Sequence, residues 1–131
     1  MIKISGHRLS TGKIEEIICG INDVVECAVV SKRDKLKGEV PFGFVILKDT
    51  VEKKDINDVI NNIKKNVVEK IGKICAINDV LVVKSLPKTR SGKIIRALLK
   101  QIVNRDKIYI PPTIEDAKCL PDIIKIFEEK Y

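Results

Sequence analysis

The 131-residue sequence is poor in aromatic residues and in histidine: it has no tryptophan, two tyrosines and three phenylalanines, and His7 is its only histidine. The four cysteines are Cys19, Cys27, Cys75 and Cys119. They show neither CxxC spacing nor neighbouring histidines, so no zinc site is expected. Free thiols in a reducing compartment are the better interpretation. Apolar runs such as Val80–Val83 fall far short of the ~20 residues that span a bilayer, and the polar start does not resemble a signal peptide.

The hydrophobic content of 44% and the charged content of 33% are typical of one folded domain. The net charge of +7 is concentrated in one stretch, because Lys84 to Lys107 contain eight basic residues against the single acid Asp106. We therefore expect an anionic partner that contacts one part of the surface, rather than a polyanion or membrane bound all over. The chain is also small for an enzyme that must hold several large substrates.

Hydrophobic spacing predicts helices and strands that alternate along the chain. The predicted helices cover residues 12–21, 55–71, 94–103 and 121–130, and the predicted strands cover 24–31, 40–47 and 79–84. A turn at 34–38 predicts that the first two strands pair antiparallel. Together these elements indicate an α+β fold, with a small three-stranded, mostly antiparallel sheet flanked by helices.

The loop from Pro87 to Lys93, with Arg96 one helical turn further on, is the first candidate site. Its small polar residues, its glycine and its final lysine can present one ammonium group to a phosphate or carboxylate, with backbone N–H groups facing the same anion. It is not a Walker loop, because the leading glycine and the Ser or Thr after the lysine are missing. The alternative is a solvated basic surface loop.

The segment from Ile4 to Thr11, which leads into the first helix, is the second candidate. Gly6 allows the backbone to pass close to a ligand, and Arg8 offers a planar guanidinium for a phosphate. Taken alone, this segment is also explained as a simple turn, with His7 as a surface or packing residue.

The two segments together resemble a known family. The sequences "SGHRLSTGKIEE" (Ser5–Glu16) and "LPKTRSGKIIR" (Leu86–Arg96) are similar to the last core motifs of the adenylate-forming enzymes, which include acyl-CoA synthetases, firefly luciferase and nonribosomal adenylation domains. The resemblance covers residues 1–131 as a single C-terminal lid domain that begins just after the interdomain hinge, without the N-terminal adenylation domain. The motifs resemble the short-chain branch, and "PPTIED" (Pro111–Asp116) resembles propionyl-CoA synthetases more than acetyl-CoA synthetases.

The resemblance implies a two-step ligase. ATP and acetate or propionate give an acyl-adenylate and pyrophosphate, and coenzyme A then gives the thioester and AMP. It implies that Lys93 is catalytic in the first step, that Ser5 and Gly6 bind coenzyme A, and that Arg8 binds the adenylate phosphate. It also implies a structural Mg²⁺ held by the backbone carbonyls of Cys19, Ile21 and Val24. ATP and Mg²⁺ would act in the full-length enzyme, with no cofactor held tightly by this fragment.

The sequence departs from the family pattern at two places. Val68 stands where short-chain relatives have an arginine near the 3′-phosphate of coenzyme A, so Lys70 or Lys73 would have to substitute. Ser10 and Gly12 stand where the family usually has "GTAE", and Gly12 weakens the first turn of the helix by up to ~1 kcal/mol.

The resemblance also bears on partners and compartment. The implied partners are an N-terminal adenylation domain of the same chain, small-molecule substrates, and a lysine acyltransferase or deacylase that acts on Lys93. No nucleic acid or membrane partner is expected, the isolated chain is expected to be inactive, and both cytoplasm and mitochondrial matrix fit.

Two other functions remain open from the residues. The first is a nucleic-acid-binding module that uses the basic stretch 84–107, although this stretch has no aromatic residue for base stacking. The second is a stand-alone interaction or regulatory domain in which Lys93 is a modification target.

Overall fold

The computed structural model describes residues 2–4, 7–9, 11–36, 38–72, 77, 79–115 and 117–131, with only the backbone described at 2–4 and 7–9. The strands are β1 (Ile2–Ile4), β2 (His7–Leu9), β3 (Val24–Asp34), β4 (Gly38–Leu47) and β5 (Asp79–Val82). The helices are α1 (Thr11–Cys19), α2 (Ile56–Ile71), α3 (Arg96–Val103) and α4 (Cys119–Lys130), and a 3₁₀ turn at Lys53–Asp55 leads into α2. No helix in these described ranges is long and apolar enough to cross a membrane.

The sheet is built around β4. Strand β3 pairs antiparallel with β4 from Val24 opposite Leu47 to Asp34 opposite Gly38, which confirms the predicted hairpin. Strand β5 pairs parallel with β4 on its other edge, because α2 carries the chain back across the sheet between them. The predicted α+β domain with these three strands is confirmed. Two short strands, β1 and β2, form an additional antiparallel hairpin that meets β4 where Ile4 lies opposite Gly38.

Helices cover both faces of the sheet. Side chains alternate along β4, so Val45 faces α1 and α2, while Phe42 and Phe44 face α3 and α4. On the first face the core includes Ile14, Ile18, Val29, Ile63, Val67 and Val80. On the second face Phe42 packs against Phe44 and Phe127, with ring centroids 5.4 and 6.0 Å apart. The apolar stripes that predicted the helices are therefore their buried sides.

The helix boundaries differ from the predicted ones for local reasons. Helix α1 ends at Cys19 rather than at residue 21, because Ile21 enters a turn in which its carbonyl accepts the N–H of Val24. Helix α3 begins at Arg96 rather than at residue 94, because Ile94 is still paired with Lys88. Helix α2 ends as predicted before Gly72, whose φ of +120° favours glycine.

The free edge of β3 is covered by polar side chains. The Glu15 carboxylate of α1 accepts the N–H of Val29, and the Asn104 amide accepts the N–H of Arg33 and donates to the carbonyl of Ser31. Unpaired strand edges invite pairing with other chains, so these contacts occupy groups that would otherwise be available to a second strand.

Candidate functional site

The loop from Pro87 to Lys93 forms a small closed hairpin. The N–H of Thr89 donates to the carbonyl of Lys93 at 2.8 Å, and the N–H of Ile95 donates to the carbonyl of Pro87 at 2.8 Å. The tip is a turn in which the N–H of Gly92 donates to the carbonyl of Thr89 at 2.9 Å. Gly92 has a φ of +90°, a conformation that other residues rarely adopt. The sequence "TRSG" therefore specifies a defined turn.

The segment at 113–115 braces this hairpin from its other side. The N–H of Arg90 donates to the carbonyl of Thr113 at 3.1 Å, and the N–H of Glu115 donates to the carbonyl of Lys88 at 2.9 Å. A separate part of the chain thus holds the loop in place.

Four backbone N–H groups of the loop, which the sequence predicted to face an anion, are used within the protein. Those of Thr89, Arg90 and Gly92 donate to protein carbonyls, and that of Lys93 points to the Thr89 hydroxyl at 3.2 Å. That hydroxyl also hydrogen-bonds the Ser91 hydroxyl at 2.9 Å. Because these donors already have partners within the protein, an anion would contact the side-chain cations of the loop instead.

Lys93 is exposed at the end of the hairpin. Within the part of the chain that the structure describes, its ammonium group has neither a hydrogen bond nor an ion pair. Neighbouring cations are engaged: the Lys88 ammonium lies 2.6 Å from a carboxylate oxygen of Glu26, and Arg96 pairs with Glu15. The basic stretch is therefore not a uniform positive surface, and Lys93 is a cation available to an outside anion.

Arg96 connects the hairpin to the first helix. Its Nε donates to Oε2 of Glu15 at 2.8 Å and its Nη2 to Oε1 at 2.5 Å, while Oε2 also accepts the N–H of Val29 at 2.9 Å. The hydrogen bond to Glu15 raises the pKa of the Arg96 guanidinium, so the group stays charged. Arg96, expected one turn beyond the loop as a further cation, instead fixes the loop's end to α1 and β3. Glu15 belongs to the motif Ser5–Glu16, but no local pattern in the sequence indicates its contact with Arg96.

The second candidate segment is only partly described. Ser5 and Gly6 lie outside the described residues. The backbone of Arg8 is in β2, where it lies opposite Lys3 of β1. The roles expected for these three residues therefore stay predictions.

The three carbonyls expected to hold Mg²⁺ follow the end of α1. Cys19 is the last residue of the helix, Ile21 lies in the turn and Val24 begins β3. The Ile21 carbonyl accepts the N–H of Val24 at 3.1 Å, but a carbonyl oxygen has a second lone pair, so the set is compatible with a cation that prefers oxygen ligands. Among the residues that the structure describes, no group of three or more His, Cys, Asp or Glu side chains could hold a metal ion.

The position at which short-chain relatives are expected to have an arginine lies at the end of α2. Val68 is half-buried in the last turn of this helix, and its carbonyl accepts the N–H of Gly72 at 2.9 Å. Lys70 is exposed nearby, while Lys73 lies outside the described residues. Lys70 is thus a described cation that could replace the arginine.

Comparisons with known proteins identify relatives of this chain. The chain is 48% identical over 129 residues to the mitochondrial acyl-CoA synthetase short-chain family member B of Dictyostelium discoideum. It is 46% identical over 133 residues to the human mitochondrial acyl-CoA synthetase short-chain family member 3. Each match covers 98% of this chain and 19% of the relative, so the chain spans about a fifth of these proteins.

A solved structure shows the same fold. The crystal structure of Brucella canis acyl-CoA synthetase superposes with a TM-score of 0.70 at 29% identity, covering 76% of this chain and 18% of that one. A family model described as the AMP-binding enzyme C-terminal domain matches residues 13–93, more than half of the chain and including the hairpin that ends at Lys93. The chain belongs to the AMP-binding enzyme C-terminal domain family.

Proposed function

We propose that residues 1–131 are the mobile C-terminal domain of an AMP-forming, short-chain acyl-CoA synthetase. This enzyme would convert acetate or propionate, ATP and coenzyme A into acyl-CoA, AMP and pyrophosphate. Support comes from the family match and from relatives named as short-chain acyl-CoA synthetases, of which this chain spans 19%. An N-terminal domain of the same chain would supply the pockets for ATP and the carboxylate.

The observation that carries the proposal is the exposed Lys93 side chain on a hairpin that the segment 113–115 and the Glu15–Arg96 pair hold in place. In the adenylation step a carboxylate must approach the α-phosphate of ATP, and both are negatively charged. A positioned cation in a closed site lowers this repulsion without reorganising during the reaction, an effect that contributes several kcal/mol. The brace keeps the hairpin in one conformation while the domain moves.

The second step would use another surface of the domain. Ser5 and Gly6 would line the passage for coenzyme A, and Arg8 would contact the adenylate phosphate. The backbone of Arg8 lies in β2, the strand that precedes α1. Rotation of the whole domain between the two steps would move the surface that carries Lys93 away from the active site. It would bring the surface that carries Ser5, Gly6 and Arg8 there instead.

The carbonyls of Cys19, Ile21 and Val24 would hold a structural Mg²⁺ at the turn between α1 and β3. Bound there, the ion would neutralise the partial negative charge of the helix C-terminus and rigidify the turn. The Mg²⁺ that accompanies ATP would belong to the N-terminal domain.

Acylation of Lys93 would switch off the first step, because it removes the positive charge. The exposure of this side chain supports access by a lysine acyltransferase or deacylase. The relatives carry the word mitochondrial in their names, which supports a mitochondrial matrix location, with the cytoplasm as the alternative.

The test is a chimera in which this chain replaces the matching C-terminal segment of the Dictyostelium discoideum relative. Two half-reactions are measured: ATP–pyrophosphate exchange with propionate, and thioester formation from supplied propionyl-adenylate. Lys93→Ala should lower the exchange rate by roughly 100-fold or more, the effect of removing one preorganised electrostatic group. Thioester formation should change by less than about threefold, because the lysine is not used there.

Lys100→Ala is the matched control, since Lys100 is another exposed lysine of the same basic stretch, and both rates should stay near those of the unmodified chimera. Equal loss of both half-reactions in Lys93→Ala would contradict the assignment of this lysine to the first step. The nucleic-acid-binding alternative is not favoured, because Lys88 and Arg96 of the basic stretch are held in ion pairs and the chain matches a family of enzyme domains.

A further inference from the structure

Two cysteines whose thiol groups have no role in the proposed function lie in contact. Cys19, the last residue of α1, is exposed, and Cys27 is buried in β3 with 4% exposure. Their Sγ atoms are 3.0 Å apart. The Cys27 thiol also lies 3.3 Å from the carbonyl of Glu15, to which it can donate. Both cysteines are free thiols in the structure.

This geometry is close to that of a bonded pair. A disulfide has an S–S length of about 2.05 Å, so the two sulfurs need to approach by about 1 Å. Rotation of the exposed Cys19 side chain is the simplest source of that movement, because Cys27 is surrounded by core side chains such as Ile18 and Val29.

We propose that Cys19 and Cys27 form a dithiol modification site, which a small disulfide such as oxidised glutathione converts into an intrachain disulfide. The exposed thiol of Cys19 reacts first. Its thiolate attacks one sulfur of oxidised glutathione, the glutathione S–S bond breaks, and a protein–glutathione mixed disulfide forms. The glutathione thiolate that leaves takes up the proton lost by Cys19.

The second step closes the protein disulfide. The Cys27 thiolate attacks the Cys19 sulfur, and the second glutathione leaves and takes up the proton from Cys27. In sum, two protein thiols are oxidised and one oxidised glutathione is reduced to two thiols. The Cys27 thiol is buried, so it exchanges less readily with reagents in solution than Cys19 does, and its contact with the Cys19 sulfur compensates.

The resulting bond would tie the end of α1 to β3. These two elements already meet through Glu15, which holds the N–H of Val29 and the guanidinium of Arg96. Oxidation would therefore reinforce an existing contact and should leave the fold intact. The site does not depend on the proposed synthetase activity, because the reaction involves only this chain and a small disulfide.

The experiment uses the folded 131-residue chain with Cys75→Ser and Cys119→Ser, which leaves only the two thiols of interest. The chain is incubated with oxidised glutathione, free thiols are alkylated, and the protein is digested after glutamate. Cleavage after Glu26 separates Cys19 from Cys27, so a disulfide appears by mass spectrometry as two linked peptides. We expect this linked species to form at least tenfold faster in buffer than in concentrated urea, because the fold holds the sulfurs together.

Single variants separate the two steps. Cys27→Ser should accumulate a stable glutathione adduct at Cys19, and Cys19→Ser should leave Cys27 unmodified in the folded chain. Three outcomes would overturn the proposal: no linked peptides, a lasting glutathione adduct at Cys19 in the chain that retains both thiols, or equal rates with and without urea. The first two measurements need no variant at either cysteine, so they remain decisive if a single variant fails to fold.

Discussion

Replacing Glu15 tests whether one carboxylate joins α1, the edge of β3 and the Lys93 hairpin. The Glu15→Ala variant removes the acceptor for the N–H of Val29, a residue that is 1% exposed. A buried donor without a partner costs about 1–3 kcal/mol. The variant also breaks the ion pair with Arg96, whose side chain is 45% exposed, which adds about 0.5–1 kcal/mol. The free energy of unfolding should therefore fall by about 1.5–4 kcal/mol.

The Glu15→Gln variant divides this sum into its parts. Its amide oxygen can still accept the N–H of Val29, so only the ion-pair contribution is lost and the decrease should be about 1 kcal/mol. Glu16→Ala is the matched control, because Glu16 is an exposed glutamate on the same helix. Equilibrium urea unfolding followed by circular dichroism suits a chain without tryptophan. If Glu15→Ala is no less stable than Glu16→Ala, the assigned role of Glu15 is wrong.

Three further predictions concern stability and use the same unfolding measurement. Burial of Asp79 opposes its charged form, but hydrogen bonds from Lys130 and the N–H of Val80 lower its pKa overall. This carboxylate therefore stabilises the fold above pH ~4. That stabilisation is lost as the pH falls through the lowered pKa. Asp79→Asn should remove that part of the acid dependence, and an unchanged acid profile would contradict the assignment. Gly92→Ala should lower the free energy of unfolding by about 1–2 kcal/mol, because alanine is strained at the φ of +90°. Strain is the only cause expected, since an added Cβ meets no atom within 4 Å. An unchanged urea midpoint would argue against the strain. Phe42→Ala should lower the free energy of unfolding by about 3–5 kcal/mol, because this fully buried ring contacts three other aromatic rings. A loss below about 1 kcal/mol would show that the core repacks.

The sequence was sufficient to predict the elements whose pattern is local. Apolar spacing placed α2 within one residue of its observed bounds, and Gly72 ended it for the expected conformational reason. The spacing failed at the start of α3, where Ile94 has an apolar helical pattern but pairs with Lys88 instead. That pairing depends on the hairpin turn and on the segment at 113–115, which lies some twenty residues further along the chain.

The same division applies to the candidate site. The motif ending in Lys93 and its resemblance to a family were visible from adjacent residues, because a short loop and its chemistry are encoded locally. The use of the loop's N–H groups within the protein, the pairing of Glu15 with Arg96 and the contact of Cys19 with Cys27 were not visible.

The amino-acid sequence alone was sufficient to predict the α+β class, the helical and strand periodicities and the position of the exposed lysine. Only the tertiary structure decided that β5 runs parallel beside β4, and which cations of the basic stretch are neutralised. The physical reason is that side-chain periodicity and turn preference depend on residues that are close together in the sequence. Contacts such as Glu15 with Arg96 join residues 81 positions apart, and they exist only once the sheet and its covering helices have packed.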